Sequence, residues 1–525
     1  MGTKTGAAAL AMLLVRVGAI QAQCPDGSPP PCGGVASRAV AAPPRSVAVL
    51  YFESLSPDTA DAYIADGFTE EVTARLGQIS RLAVTSRTAA RRFRNPATLS
   101  PAEIGRALNA RYLVSGSVRR SETHLRVTVE LVAATTGTRV WGDQYDRSTA
   151  DLLSIEQDVA GAVATGVAGQ LLAVERATIA ARPTRSPEAY DHYLRGNRML
   201  WRQDETTVVS AITQYEAALA IDPSFTAARG RLAVTFGFAL NWAYAPGGVS
   251  RDSLLARGLA AAERAIREDS TSADAWMGLG LVLSFTGRRG DFDRAVESAR
   301  RAVVLDPTSD VARQWHAVML RRVGRFDEAE REYQVARAIN PLQVQATADL
   351  GFLALDRRHY QEAVQWYDSA VALDTTFSSS FALRARGRVA IGDLPGAMSD
   401  AATALRLAVP SELFRLSAEL AEMEARNGQI ERARMRLQDA FHRAGWRDGV
   451  PDTTITVRLA YDPALAAVVL GMPDVAIGIL ERARPRGPWL WSYLIFPGFD
   501  PLRADPRFIK IFEESKPPNA PEVPR

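Results

Sequence analysis

Two cysteines and five histidines among 525 residues leave little material for metal, haem or thiol chemistry. Cys24 and Cys32 have no histidine near them and stand at a spacing that fits no zinc site. His124, His192, His316, His359 and His442 fall singly in separate predicted elements, which reads as packing or surface use. There is no G-x-x-x-x-G-K-[ST] phosphate loop, no C-x-x-C-H haem motif, and no H-R-D or D-F-G kinase signature. The Gly-Leu-Gly at 278–280 lies inside a predicted helix and not after a strand, so close helix packing explains it. Long apolar runs are missing too. A spanning helix needs roughly 20 apolar residues; the stretch 232–244 is shorter, and 459–480 is interrupted by Asp462, Pro463, Pro473 and Asp474. A net charge of +3 gives no global field for wrapping nucleic acid or a membrane surface. These absences point to a non-enzymatic chain with no cofactor, no metal, no nucleic-acid partner and no membrane span.

What is present is ordinary globular material, 47% hydrophobic and 23% charged. The length asks for two or three domains. Residues 1–23 read as an export signal: Lys4 precedes a short apolar stretch, and small residues lead to a cut after Ala22. A periplasmic or secreted location follows as an expectation, with lipid anchoring at Cys24 disfavoured because Gln23 stands where a small residue should. Residues 24–45 form a Pro/Gly-rich linker, in which Cys24 and Cys32 are either bonded or free.

The strongest signal is internal repetition over 186–485. Ala329, Tyr333, Ala336 and Pro341 are spaced by 4, 3 and 5 residues, and the pattern recurs at Ala211/Tyr215/Ala218/Pro223, Ala295/Ala299/Ala302/Pro307, Ala363/Tyr367/Ala370 and Ala397/Ala401/Ala404. Looser copies stand at Gly258/Ala262/Ala265, Ala433/Leu437/Ala440 and Ala476/Leu480/Ala483. Anchors 295, 329, 363 and 397 recur every 34 residues, the signature of a helical array. Residues three and four apart share a helix face, so alanines there admit a close neighbour, and proline ends the helix. Each pair also opens with a stripe such as Trp276, Leu279, Gly280 and Leu283. Together these residues resemble the tetratricopeptide repeat, W-x2-LG-x2-Y…A-x3-F-x2-A-x4-P, in about eight units between Tyr190 and Arg484. The resemblance implies a solenoid that holds a protein or peptide.

Residues 46–172 follow another rule. SVAVLYF reads as a buried strand, DAYIADGFTEEVTARLGQI as a helix, RLAVTS as a strand, and SPAEIGRALN as a helix capped by Ser100. RYLVSGSVRR, HLRVTVELVA and RVWGDQYDR suggest a three-stranded meander, and a helix from Ala150 to about Leu172 closes the unit. In this order the segments resemble the N-terminal α/β domain of TolB, also likened to the flagellar FlgO domain, although Tyr51 and Ser115 stand where relatives carry Pro and Glu. The C-terminal GFDPLRADPRF is similar to the ending of bacterial signalling proteins that join this domain to a tetratricopeptide array. In many of those relatives the pair follows a kinase, a nucleotide cyclase or a winged-helix domain. The family brings no catalytic residues. The expected fold is therefore α+β multidomain: a small α/β TolB N-terminal-like domain, then an all-α tetratricopeptide solenoid, then a cap and tail over 486–525.

Two surfaces invite a ligand. In tetratricopeptide arrays the first helices line the concave face, and that register selects Gln314, Val318, Arg321, Ala348, Phe352, Ala382 and Arg386 as a partner-binding groove. Two arginines beside an apolar patch suit an acidic or C-terminal peptide; a merely solvated face is the alternative. Arg91, Arg92 and Arg94 form a basic cluster, read as a solvated loop face with anion binding as the alternative. Trp489, Trp491, Tyr493 and Phe496 are expected to cap the last repeat. Homo-oligomerisation stays open.

Overall fold

The structure, a computed structural model, describes residues 42–94, 99–200, 205–244, 248–288, 290–484, 487–518 and 520. The expected leader, both cysteines and all but the end of the linker lie outside these residues.

The strand signals build a mixed sheet. In β1 (Ser46–Val49) every residue is buried. Short β2 (Glu53–Ser54) and β3 (Ala83–Val84) and long β4 (Tyr112–Arg120) surround it, with β3 and β4 both parallel to β1 and β2 parallel to β4. β5 (His124–Ala133) and β6 (Thr138–Ser148) add the antiparallel meander, giving the order β3-β1-β4-β5-β6. Alternation sets the faces. Leu125, Val127, Val129 and Leu131 are buried. Arg126 and Glu130 on the opposite face pair with Asp146 and Arg139 of β6. α1 (Ala62–Gly77) lies against the sheet. Two short helices follow, α2 (Arg87–Ala90) and α3 (Pro101–Ala107). The expected cap of α3 is a full capping box between Ser100 and Glu103. α4 (Leu152–Ala168) packs on α1, β5 and β6, and α5 (Ala173–Ala180) leads out.

Eight antiparallel helix pairs follow among the described residues. The first four are α6 (Pro187–Leu200) with α7 (Glu205–Ile221), α8 (Thr226–Trp242) with α9 (Arg251–Glu268), α10 (Ala273–Leu283) with α11 (Asp291–Leu305), and α12 (Asp310–Arg322) with α13 (Phe326–Ile339). The others are α14 (Val344–Asp356) with α15 (Tyr360–Leu373), α16 (Ser378–Ala390) with α17 (Leu394–Leu407), α18 (Leu413–Arg426) with α19 (Ile430–Arg443), and α20 (Val457–Val469) with α21 (Pro473–Arg482). Helix α20 runs through Pro463, so that proline does not break the segment. No helix among the described residues is long and apolar enough to cross a membrane.

The repeat anchors are the contact residues. Each alanine, tyrosine and leucine of the pattern in α7, α9, α11, α13, α15, α17, α19 and α21 is buried. Tyr215 and Tyr367 sit directly on glycines of the preceding helix: a Cβ on Gly196 or Gly351 would come within 2.6 Å of the tyrosine ring. Gly351→Ala is therefore expected to cost about 1–3 kcal/mol through overpacking, read as a lower urea midpoint; an unchanged midpoint would mean that Tyr367 is not seated on the backbone.

The N-terminal unit is tied to the array at two places. α1 packs on α6. Ser86 and Thr88 donate to buried Asp310 at 2.9 and 2.6 Å, and Asn340 donates to the same carboxylate at 2.7 Å. At the other end α22 (Pro488–Leu494) and α23 (Pro506–Ser515) fold back. Tyr493 and Phe496 meet Tyr461 of α20, in the last pair, at 4.6 and 6.2 Å, as expected of a cap, while Trp489 reaches further back. Its ring lies 4.7 Å from Phe285, just beyond α10, and α22 packs on α12.

Candidate functional site

An inner helix of a solenoid faces whatever fills the superhelix axis. In this chain the axis is filled by the chain itself. α8 and α12 meet across it, with Trp242 and Trp315 rings 6.2 Å apart and Arg322 donating to Asn241 at 3.4 Å. The C-terminal segment takes the rest: Tyr493 packs on Phe352 at 6.0 Å and on Tyr461 at 4.6 Å, and Phe496 packs against the cluster of Ala348 and Tyr367.

Six of the seven expected groove residues are buried, and Phe352 is half-buried. Gln314 is buried and donates to Asp349 at 2.6 Å. Arg321 is buried, reaches Asp356 at 2.6 Å and lies 4.2 Å over the Phe352 ring, which is half-buried. Val318 belongs to the main core, Ala348 packs with Tyr367, and Ala382 packs with Ala404 and Leu416. Arg386 donates to Asp462 and lies 3.7 Å from Glu419 and 4.6 Å over Tyr461. Both groove arginines are thus paired with acids inside the protein. The sequence reading missed the acids. Asp349 and Asp356 each follow their donor by 35 residues, one repeat plus one position, and that offset was the available signal.

Burial governs the charges here. It pushes Asp356 up to about 6, with the Arg321 guanidinium pulling the other way, and it also raises Asp349. Glu419 is pushed up by burial against the pull of Arg386 and Arg415. Arg322, which lies 5.0 Å over Trp489, is pushed down to about 10. A raised carboxyl makes the fold hold a proton that the unfolded chain releases earlier. Asp356 therefore contributes stability that is complete below the ordinary carboxyl range and is lost as the pH rises to about 6. At 1.36 kcal/mol per pH unit the loss is about 3 kcal/mol. Asp356→Asn should remove that component, so the wild-type minus variant stability should fall between pH 4 and 6.5 in urea titrations. A constant difference would refute the assignment.

Comparison with known proteins fits the array. The model of the tetratricopeptide repeat family matches residues 252–310 and 316–376. The chain carries tetratricopeptide repeats. A protein of Rhizobium meliloti (strain 1021), provisionally named adenylate cyclase 3, is 29% identical over 252 residues, 48% of this chain and 42% of that protein. The match thus spans less than half of the relative's length. Solved tetratricopeptide structures align more loosely. One from Parabacteroides merdae ATCC 43184 is 13% identical, covers 56% of this chain and all of the other, and has a TM-score of 0.37. A thermophilic one from Thermus thermophilus is 18% identical, with 39% and 98% coverage and a TM-score of 0.32. Among the described residues no group of three or more His, Cys, Asp or Glu could hold a metal ion.

Proposed function

We propose that this chain is a non-enzymatic, exported scaffold of the cell envelope, periplasmic or secreted, that binds a partner protein. The tetratricopeptide repeats carry this reading, because stacked helix pairs present extended surfaces for partners. The filled axis supports contact through the outer faces of the second helices, where Val304 and Met435 are 55% and 64% exposed. The N-terminal sheet, read as TolB-like, adds a second contact surface held rigidly through Asp310.

The partial likeness to a cyclase-named protein favours a second reading: a sensor or regulatory subunit serving a separately encoded nucleotide cyclase or kinase. Photo-crosslinking in the native cell, from a photoreactive residue at Val304, Met435 or Phe352, separates these readings after fractionation. The scaffold predicts crosslinks from Val304 or Met435 to one envelope protein. Crosslinks to a cytoplasmic cyclase or kinase, with the N-terminus uncleaved, would replace it with the second reading. Crosslinks from Phe352 alone would overturn the outer surface.

A further inference from the structure

The loop that carries the basic cluster faces a cavity. The cavity, about 440 Å³, opens where the N-terminal unit meets the first helix pair, and four guanidiniums line it: Arg91, Arg94, Arg195 and Arg198. Helical spacing brings them there. α1 turns Tyr63, Asp66 and Glu70 to one wall, α6 turns Arg195 and Arg198 to another, and α7 contributes Thr207 and Ser210.

The charge does not balance within the lining. Two carboxylates, Asp66 and Glu70, face four guanidiniums. Asp66 is shared by Arg94 at 2.7 Å and Arg198 at 3.7 Å. Arg195 takes a third carboxylate, Asp191, at 2.8 Å from outside the lining. Nearby Arg120 and Asp61 pair at 3.2 Å and cancel. Among these groups one positive charge is therefore left over. Glu70 accepts from the Tyr51 hydroxyl at 3.4 Å. The floor is preorganised: Arg94 lies 4.7 Å over Tyr51 and Arg195 lies 4.4 Å over Tyr63. The Tyr63 hydroxyl also accepts from Arg195 and Arg120 at 3.0 and 3.2 Å. Arg94 and Arg198 keep about two-fifths of their side chains exposed and can turn from their shared carboxylate to a ligand.

We propose that this cavity binds a small phosphorylated molecule with a polar body. A guanidinium fork matches the paired oxygens of a phosphate. Arg94 and Arg198, which share one carboxylate, present two partly exposed forks to the several oxygens of one tetrahedral anion. The volume exceeds that of a bare phosphate and lies in the range of small-molecule pockets. The hydroxyls of Thr59, Thr207 and Ser210 suit a sugar-like remainder. The site is independent of any protein partner.

Isothermal titration of the full chain with ribose 5-phosphate, inorganic phosphate, ribose and citrate tests this. Ribose 5-phosphate is expected to bind, ribose to give no heat, and the double variant R94Q/R198Q to bind at least tenfold more weakly. The double variant removes both guanidiniums from buried Asp66 and is expected to melt lower, so its circular dichroism without ligand is checked first. R198Q alone, whose Asp66 contact is the longer, serves if the double variant is misfolded, with weakened binding again expected. Equal affinity for inorganic phosphate would support the phosphate subsite and identify the free anion as the ligand. No binding of either phosphate compound, binding of citrate as tight as ribose 5-phosphate, or unchanged affinity in the folded variants would overturn the proposal.

Discussion

Asp462→Ala is expected to destabilise the fold by about 3–5 kcal/mol, the range for breaking a buried charge cluster by removing one partner. Asp462 is buried in α20 and accepts from Arg386 of α16 and, at 3.3 Å, from Arg415 of α18. Glu419 lies 3.7 Å from Arg386 and 3.6 Å from Arg415, and Glu412 lies 3.6 Å from Arg415. Two guanidiniums here face three acids, and without Asp462 the buried Arg386 is left with Glu419, whose ionisation burial already opposes. Asp462→Asn should lose less, since it keeps an acceptor. Urea unfolding followed by circular dichroism measures both; a loss below about 1 kcal/mol for the alanine variant, the scale of a surface ion pair, would show the cluster to be solvated.

Trp489→Ala should have an effect of similar size, about 3–5 kcal/mol. The ring is buried, meets Phe285 edge-on at 4.7 Å and lies beneath Arg322 at 5.0 Å. Its removal takes away a core side chain and the aromatic face of a guanidinium that burial has already pushed down. The loss should appear as a lower urea midpoint and a changed near-ultraviolet spectrum. Met435→Ala on an outer helix is the control and should stay within about 0.5 kcal/mol. Equal small effects for both variants would mean that the C-terminal segment does not belong to the core.

The elements of this fold were legible where the information is local. The meander reading of HLRVTVELVA located β5, the Ser100 cap located α3, and the Ala-x3-Tyr-x2-Ala spacing located α13 and α15 with the residues that pack. What remained hidden depends on distant contacts. Nothing near Arg386 announces Asp462, and nothing near Phe285 announces Trp489. Arg91 and Arg94 acquire a partner set only when α6 brings Arg195 and Arg198 opposite them. The burial of six groove residues was hidden for the same reason: the register selects the inner helices, but their exposure depends on what the end of the chain does.

In the folded protein α22 and its aromatic neighbours pack on the inner helices α12 and α14. Hydrogen–deuterium exchange of the intact protein tests it most directly. Amides within 489–494 should be protected to a similar degree as those of α12 and α14, because all three unfold together. Rapid exchange across α22 while α12 and α14 stay protected would contradict the account and return the inner face to the list of partner-binding surfaces.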